Sequence, residues 1–212
     1  MNDIVICGAG GFGREVLWLI ESINAHSPTW RVLGFIEDNE ELWGKAINGI
    51  TVLGSEDWLS NHPEEIYVTC AIGKSAVRKM VYEKVSRLAN VKLATLIDPS
   101  VRVDRTVEIG EGSIICYNSI LTVNIKIGKG VIVNLGSSLG HDAIVGDYCT
   151  FLMGTMAAAN TTFGECCEIG SGAFILQGKK VVANTVITPL TSILTDIKEA
   201  GVYAGNPARR MW

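Results

Sequence analysis

The sequence lacks any apolar run long enough to cross a bilayer. Its opening residues, Met1-Asn2-Asp3-Ile4-Val5-Ile6-Cys7-Gly8, have neither the basic start nor the apolar length of an export signal. It also lacks a basic excess. Eighteen Lys and Arg stand against 22 Asp and Glu, a net charge of −4, which argues against nucleic acid as the main partner. The six cysteines contain no CxxC pair, and no His/Cys/Asp cluster has metal-ligand spacing, so no metal is expected. Without an export signal these thiols are expected to be buried in a cytoplasmic protein, the adjacent Cys166 and Cys167 included. Only three histidines occur. His26 and His62 sit in polar loops near Pro28 and Pro63, which leaves His141 as the one in a patterned setting.

What is present reads as globular. Hydrophobic residues make up 48% of 212 and charged residues 19%, enough for a real core. The first half alternates strand and helix. Ile4–Cys7 is a short buried strand, Arg14–Asn24 a helical run, Trp30–Ile36 a second strand, Ile66–Ala71 a third, and Ser75–Leu88 a helix. Repeated βα order predicts a small parallel sheet. The loop Gly8-Ala9-Gly10-Gly11-Phe12-Gly13 fits GxGxxG between strand and helix, where N–H groups at a helix start hold phosphates. The motif suggests a dinucleotide enzyme, but this half lacks the second mononucleotide-binding unit of a full Rossmann domain.

From Ile97 the pattern becomes a period of six. Every sixth residue through Val103, Ile109 and on to Val181 and Ile187 is apolar, sixteen positions without a slip. A helix cannot produce this, because six residues turn its face by a net of roughly 240°. The fourth position of the hexad is Gly, Asn or Asp in eleven of the sixteen, residues that tolerate a left-handed backbone. The fifth is mostly small or β-branched (Ser113, Ser119, Ser137, Ala143, Thr155, Ala173), as a crowded inner corner requires. The chain is therefore expected to wind as a stacked prism over 93–212, preceded by an α/β unit over 1–92.

His141 occupies the third hexad position beside Gly140 and is expected to project from the prism wall. An imidazole suits general-base chemistry near neutral pH. The segment Asn134-Leu135-Gly136-Ser137-Ser138-Leu139-Gly140-His141-Asp142-Ala143-Ile144-Val145-Gly146-Asp147 resembles the motif of the bacterial sugar acyltransferases. That family includes nucleotide-4-amino-sugar N-acetyltransferases and sialic acid O-acetyltransferases. The similarity extends through the tail, Gly201-Val202-Tyr203-Ala204-Gly205-Asn206-Pro207-Ala208-Arg209.

The resemblance implies a left-handed parallel β-helix, a homotrimer with intersubunit sites, and acetyl-CoA in the groove between prisms. His141 would be the general base, with Asp142 raising its basicity. Asp142 also stands at a corner position where Asp serves for its backbone conformation. Asn134 would lie near the sugar amine. The short N-terminal half would bind a nucleotide-sugar, with Gly10, Gly11 and Phe12 near the diphosphate. Glu37, Asp38 and Gly73 would lie near the nucleoside. Thr150, Ser171 and Pro189 align with coenzyme positions.

Three positions depart from the pattern. Thr150 and Phe12 stand where some relatives carry His, and Thr188-Pro189-Leu190 replaces a glycine-rich turn. The expected reaction is N-acetylation of a nucleotide-linked amino-sugar. O-acetylation of sialic acid is the alternative, for which Lys74 and Arg78 offer positive charge to a sugar carboxylate. A non-catalytic scaffold and a nicotinamide oxidoreductase are the rivals from other classes.

Overall fold

The computed structural model describes residues 1–211; Trp212, the end of the expected 93–212 domain, lies outside the described residues. The α/β unit runs β1 (Asn2–Cys7), α1 (Gly11–His26), β2 (Trp30–Ile36), β3 (Ala46–Ile47), β4 (Ile50–Gly54), α2 (Asp57–Asn61), β5 (Ile66–Cys70), α3 (Ser75–Val85) and β6 (Val91–Leu93). Its sheet has the order β3-β4-β2-β1-β5-β6, parallel except for the β3–β4 hairpin. Ile4, Val5 and Ile6 of β1 are all fully buried, as a central parallel strand covered on both faces requires. From β1 the chain adds β2 on one side and later β5 on the other, so the sheet reverses direction beside β1. Such a switch point leaves a crevice beyond the carboxyl ends of the strands.

The sequence reading of this half missed the β3–β4 hairpin, α2 and β6. It also carried α3 to Leu88, where the helix ends at Val85.

The second half is a three-sided prism of two-residue strands. One sheet stacks Ile120–Leu121, Ser138–Leu139, Met156–Ala157, Phe174–Ile175 and Ser192–Ile193. A second stacks Glu108–Ile109, Lys126–Ile127, Ile144–Val145, Thr162–Phe163 and Lys180–Val181. The third begins with Leu96–Ile97 and climbs through Ile114–Ile115, Ile132–Val133, Thr150–Phe151, Glu168–Ile169 and Val186–Ile187 to the tail strand Val202–Ala204. Parallel partners lie one coil apart, as in Ile114↔Ile132↔Thr150↔Glu168. The apolar beat fills the interior, where Phe151 and Phe163 meet edge to face at 5.0 Å. Two ends of the expected pattern differ. Val103 falls on the beat but is 39% exposed and forms no strand, while the beat continues past Ile187 to a buried Ile193.

Fourteen successive corner residues, every sixth from Gly112 to Leu190, adopt a left-handed backbone with φ between +55° and +72°. Three of them, Tyr148, Cys166 and Leu190, are residue types that pay for this conformation.

The α/β unit covers the third sheet. Ile114 and Ile132 face outward there yet are buried among Ile4, Val16, Leu17 and Ile20. Outward residues of the other sheets stay exposed, Ile120 and Met156 on the first and Ile144 on the second. Along one edge of the covered sheet, α3 is keyed to the corner carbonyls. Tyr82 donates its hydroxyl to Gly112 O at 2.8 Å. Arg78 donates Nε to Gly130 O at 2.8 Å and Nη2 to Tyr148 O at 2.6 Å. The Ser75 hydroxyl lies 3.3 Å from Cys166 O. Those four carbonyls belong to one column of left-handed corners, one per coil. The α3 N-terminus has no local side-chain cap; Glu168 accepts both the Ser75 amide at 2.9 Å and its hydroxyl at 2.7 Å.

Candidate active site

The crevice at the switch point is an open cavity of about 350 Å³ lined by Gly10, Gly11, Phe12, Glu37, Asp38 and Ile72, with Val81 of α3 on one wall. The glycine loop takes its shape from steric need. Gly8 has φ +99°, and Gly13 brings the first turn of α1 against the Gly8 carbonyl. The amides at the start of α1 therefore open toward the cavity. Glu37 braces this loop, with Oε2 accepting from Ala9 N at 3.0 Å and Oε1 from Asn39 N at 3.3 Å. Gly73 does not line the cavity. Its carbonyl turns away, to Thr150 Oγ1 at 2.8 Å and Arg78 Nη1 at 3.1 Å.

His141 lies on the edge between the first and second sheets, between strands Ser138–Leu139 and Ile144–Val145. Its side chain is 53% exposed, and Nδ1 is 2.6 Å from Asp142 Oδ2. The His141 hydrogen bond holds the Asp142 carboxyl below its usual range against the opposing effect of burial, with a further contribution from Asn124. Asp142 also fills a left-handed corner at φ +60°, so it serves the backbone and the imidazole at once.

Asn134, Ser171 and Pro189 lie on a different edge, between the third and first sheets. Asn134 is nearly buried and accepts the Leu135 amide through its side-chain oxygen at 2.6 Å. Leu135 and Phe12 both pack against the apolar cluster between the α/β unit and the prism. Ser171 and the exposed Pro189 stand one coil apart there, and Ser171 O accepts Leu190 N at 2.9 Å. One chain thus places Asn134, Ser171 and Pro189 on one edge and His141 with Asp142 on another.

Two expectations need correction. Thr150 is 2% exposed, and its hydroxyl is used inside the chain, donating to Gly73 O and accepting from Arg78. It offers no surface to a coenzyme. Arg78 is fully buried with its guanidinium bound to protein oxygens, so it cannot meet a sugar carboxylate, and Lys74 alone remains exposed.

Residues 3–85 match the family described as PglD N-terminal domain. Over 218 aligned positions the chain is 33% identical to GDP-perosamine N-acetyltransferase of Escherichia coli O157:H7, covering all of this chain and 97% of that protein. The chain belongs to the bacterial sugar acetyltransferases. Among solved structures, this acetyltransferase resembles the acetyltransferase domain of PglB from Neisseria gonorrhoeae FA1090 in complex with acetyl coenzyme A. The two are 28% identical with a TM-score of 0.87, and each chain is covered in full. WeeI from Acinetobacter baumannii AYE is 30% identical with a TM-score of 0.88, again over both whole chains. The prism of this sugar acetyltransferase is the left-handed parallel β-helix of hexapeptide acetyltransferases.

Proposed function

We propose that this enzyme moves the acetyl group of acetyl-CoA onto the amine of a nucleotide-linked amino-sugar, at sites between the subunits of a homotrimer in the cytoplasm. The observation that carries the reading is the His141–Asp142 pair at 2.6 Å, solvent-facing on a prism edge. That edge carries none of the other expected contacts. A second copy that sets its His141 edge against the Asn134, Ser171 and Pro189 edge completes one site, and closed threefold symmetry supplies three. Six free, buried cysteines suit a reducing compartment.

In this mechanism the Asp142 carboxylate accepts a hydrogen bond from Nδ1–H, which keeps that proton on Nδ1 and leaves the Nε2 lone pair facing the acceptor. His141 takes the amine's proton as its nitrogen attacks the thioester carbon, then returns a proton to the departing coenzyme thiolate. Direct transfer needs no acyl-enzyme, because both substrates share one groove and proximity supplies much of the rate. The α1 amides near Gly10 and Gly11 hold the diphosphate, and Asp38 accepts from the nucleoside. Acetyl-CoA as donor is supported by the acetyl coenzyme A complex of the PglB domain, and a nucleotide-linked acceptor by the GDP-perosamine relative. Burial of Arg78 removes the positive pair that favoured sialic acid.

The test is release of coenzyme A thiol across GDP- and UDP-linked amino-sugars and free sialic acid. Release with a nucleotide-linked amine, with the product heavier by one acetyl group, is the expected result. Turnover of sialic acid alone, or of none of them, would overturn it.

A further inference from the structure

Arg78 is a cation with no exposed surface and, among the described residues, no carboxylate hydrogen-bonded to it. Burying such a charge is costly unless every donor is satisfied, and here oxygens from three separate segments satisfy it. Nη1 donates to Ile72 O at 2.6 Å and Gly73 O at 3.1 Å, in the turn that follows β5. Nε donates to Gly130 O, and Nη2 to Tyr148 O, Cys149 O and Thr150 Oγ1, all on the prism. Thr150 closes the loop by donating to Gly73 O at 2.8 Å. The turn held in this way carries Ile72, a wall of the 350 Å³ cavity, and α3 contributes Val81 to the same wall. One guanidinium and one hydroxyl therefore bolt a cavity wall directly onto the prism.

The arrangement costs the prism backbone strain. Tyr148 adopts φ +58°, an unfavourable backbone for a bulky side chain, and its carbonyl is the one that meets Nη2 at 2.6 Å.

We propose that Arg78 and Thr150 are positioning residues for the acceptor: they fix the Ala71–Lys74 turn on the prism and so preorganise the nucleotide cavity. The inference rests on the nucleotide-sugar reading above. It also gives Thr150 a role on the acceptor side, where the family resemblance places it beside the coenzyme.

Calorimetric titration of the full-length protein with GDP, with UDP and, separately, with acetyl-CoA tests it. Thr150→Val keeps the side-chain shape and removes only the hydroxyl. It should weaken binding of the preferred nucleotide about tenfold while acetyl-CoA affinity stays within about twofold, and Thr150→Ser should restore the nucleotide value. Arg78→Lys, which cannot span the same acceptors, should weaken the nucleotide further, and circular dichroism reports whether it has folded. Unchanged nucleotide affinity in Thr150→Val, or a loss confined to acetyl-CoA, overturns the proposal. If the unaltered protein binds neither GDP nor UDP, the nucleotide reading itself fails and this inference falls with it. If it binds one and Thr150→Val binds it equally well, only the inference fails.

Discussion

Gly13 lies so close to the Gly8 carbonyl oxygen that a Cβ at position 13 would stand 2.0 Å from it, well inside any tolerated contact. The first turn of α1 and the loop after β1 are locked together by the absence of one methyl group. Gly13→Ala should therefore destabilise the fold by about 1–3 kcal/mol, as overpacking does, and displace the amides that face the cavity. At Gly10 a Cβ would meet nothing within 4 Å and φ is −72°, so Gly10→Ala should leave stability within about 0.5 kcal/mol. Urea melts of the two variants check the contrast.

The six cysteines are all free and buried. Burial pushes the Cys70 and Cys116 thiols up to about 12, the nearby Arg78 partly offsetting this at Cys70 and Glu15 adding to it at Cys116. A raised thiol pKa keeps the reactive thiolate scarce until the solution is strongly alkaline. Native protein at neutral pH should react negligibly with Ellman's reagent at these positions, and denatured protein should titrate all six.

Asp142→Asn separates the two duties of that residue. Asn also accepts a left-handed corner, as Asn124 and Asn160 do at φ +56° and +57°, so the prism should fold normally. The amide cannot stabilise an imidazolium, so kcat should fall about 10- to 100-fold without a matching loss of melting temperature. Equal kcat would confine Asp142 to its backbone role.

The intersubunit arrangement has its own test. Gly10→Trp places a large side chain in the cavity from an unobstructed position, and His141→Ala removes the base. Each variant alone should be inactive. If a site takes its imidazole from one chain and its cavity from a neighbour, random co-assembly of equal amounts should restore about a quarter of the sites. No recovery from mixed trimers would place both halves of the site in one chain.

The prism was legible because its rule is local and repeated: an apolar residue every sixth position, with Gly, Asn or Asp three residues on. That rule also misled at Val103, where the first coil is irregular and the beat carries no strand. The β3–β4 hairpin left a readable mark, since Asn48 and Gly49 at φ +50° and +82° form a tight turn between Ile47 and Ile50. Its first strand is only two residues long, too short to show alternation. Arg78 was not legible. A basic residue on a short helix reads as solvent-facing, and its acceptors on the prism come from residues 52 to 72 positions away. Tyr148 and Cys166 at left-handed corners were hidden for the same reason, because the carbonyls they turn toward α3 justify them only in three dimensions.

The account depends most on His141 as the group that removes the acceptor's proton. The decisive measurement is steady-state turnover of His141→Ala with a nucleotide-linked amino-sugar and acetyl-CoA, beside a thermal melt and a coenzyme A titration showing an intact, coenzyme-binding protein. The account predicts that kcat falls by about 10²–10⁴ while both controls stay unchanged. A kcat within about threefold of the unaltered enzyme would contradict it.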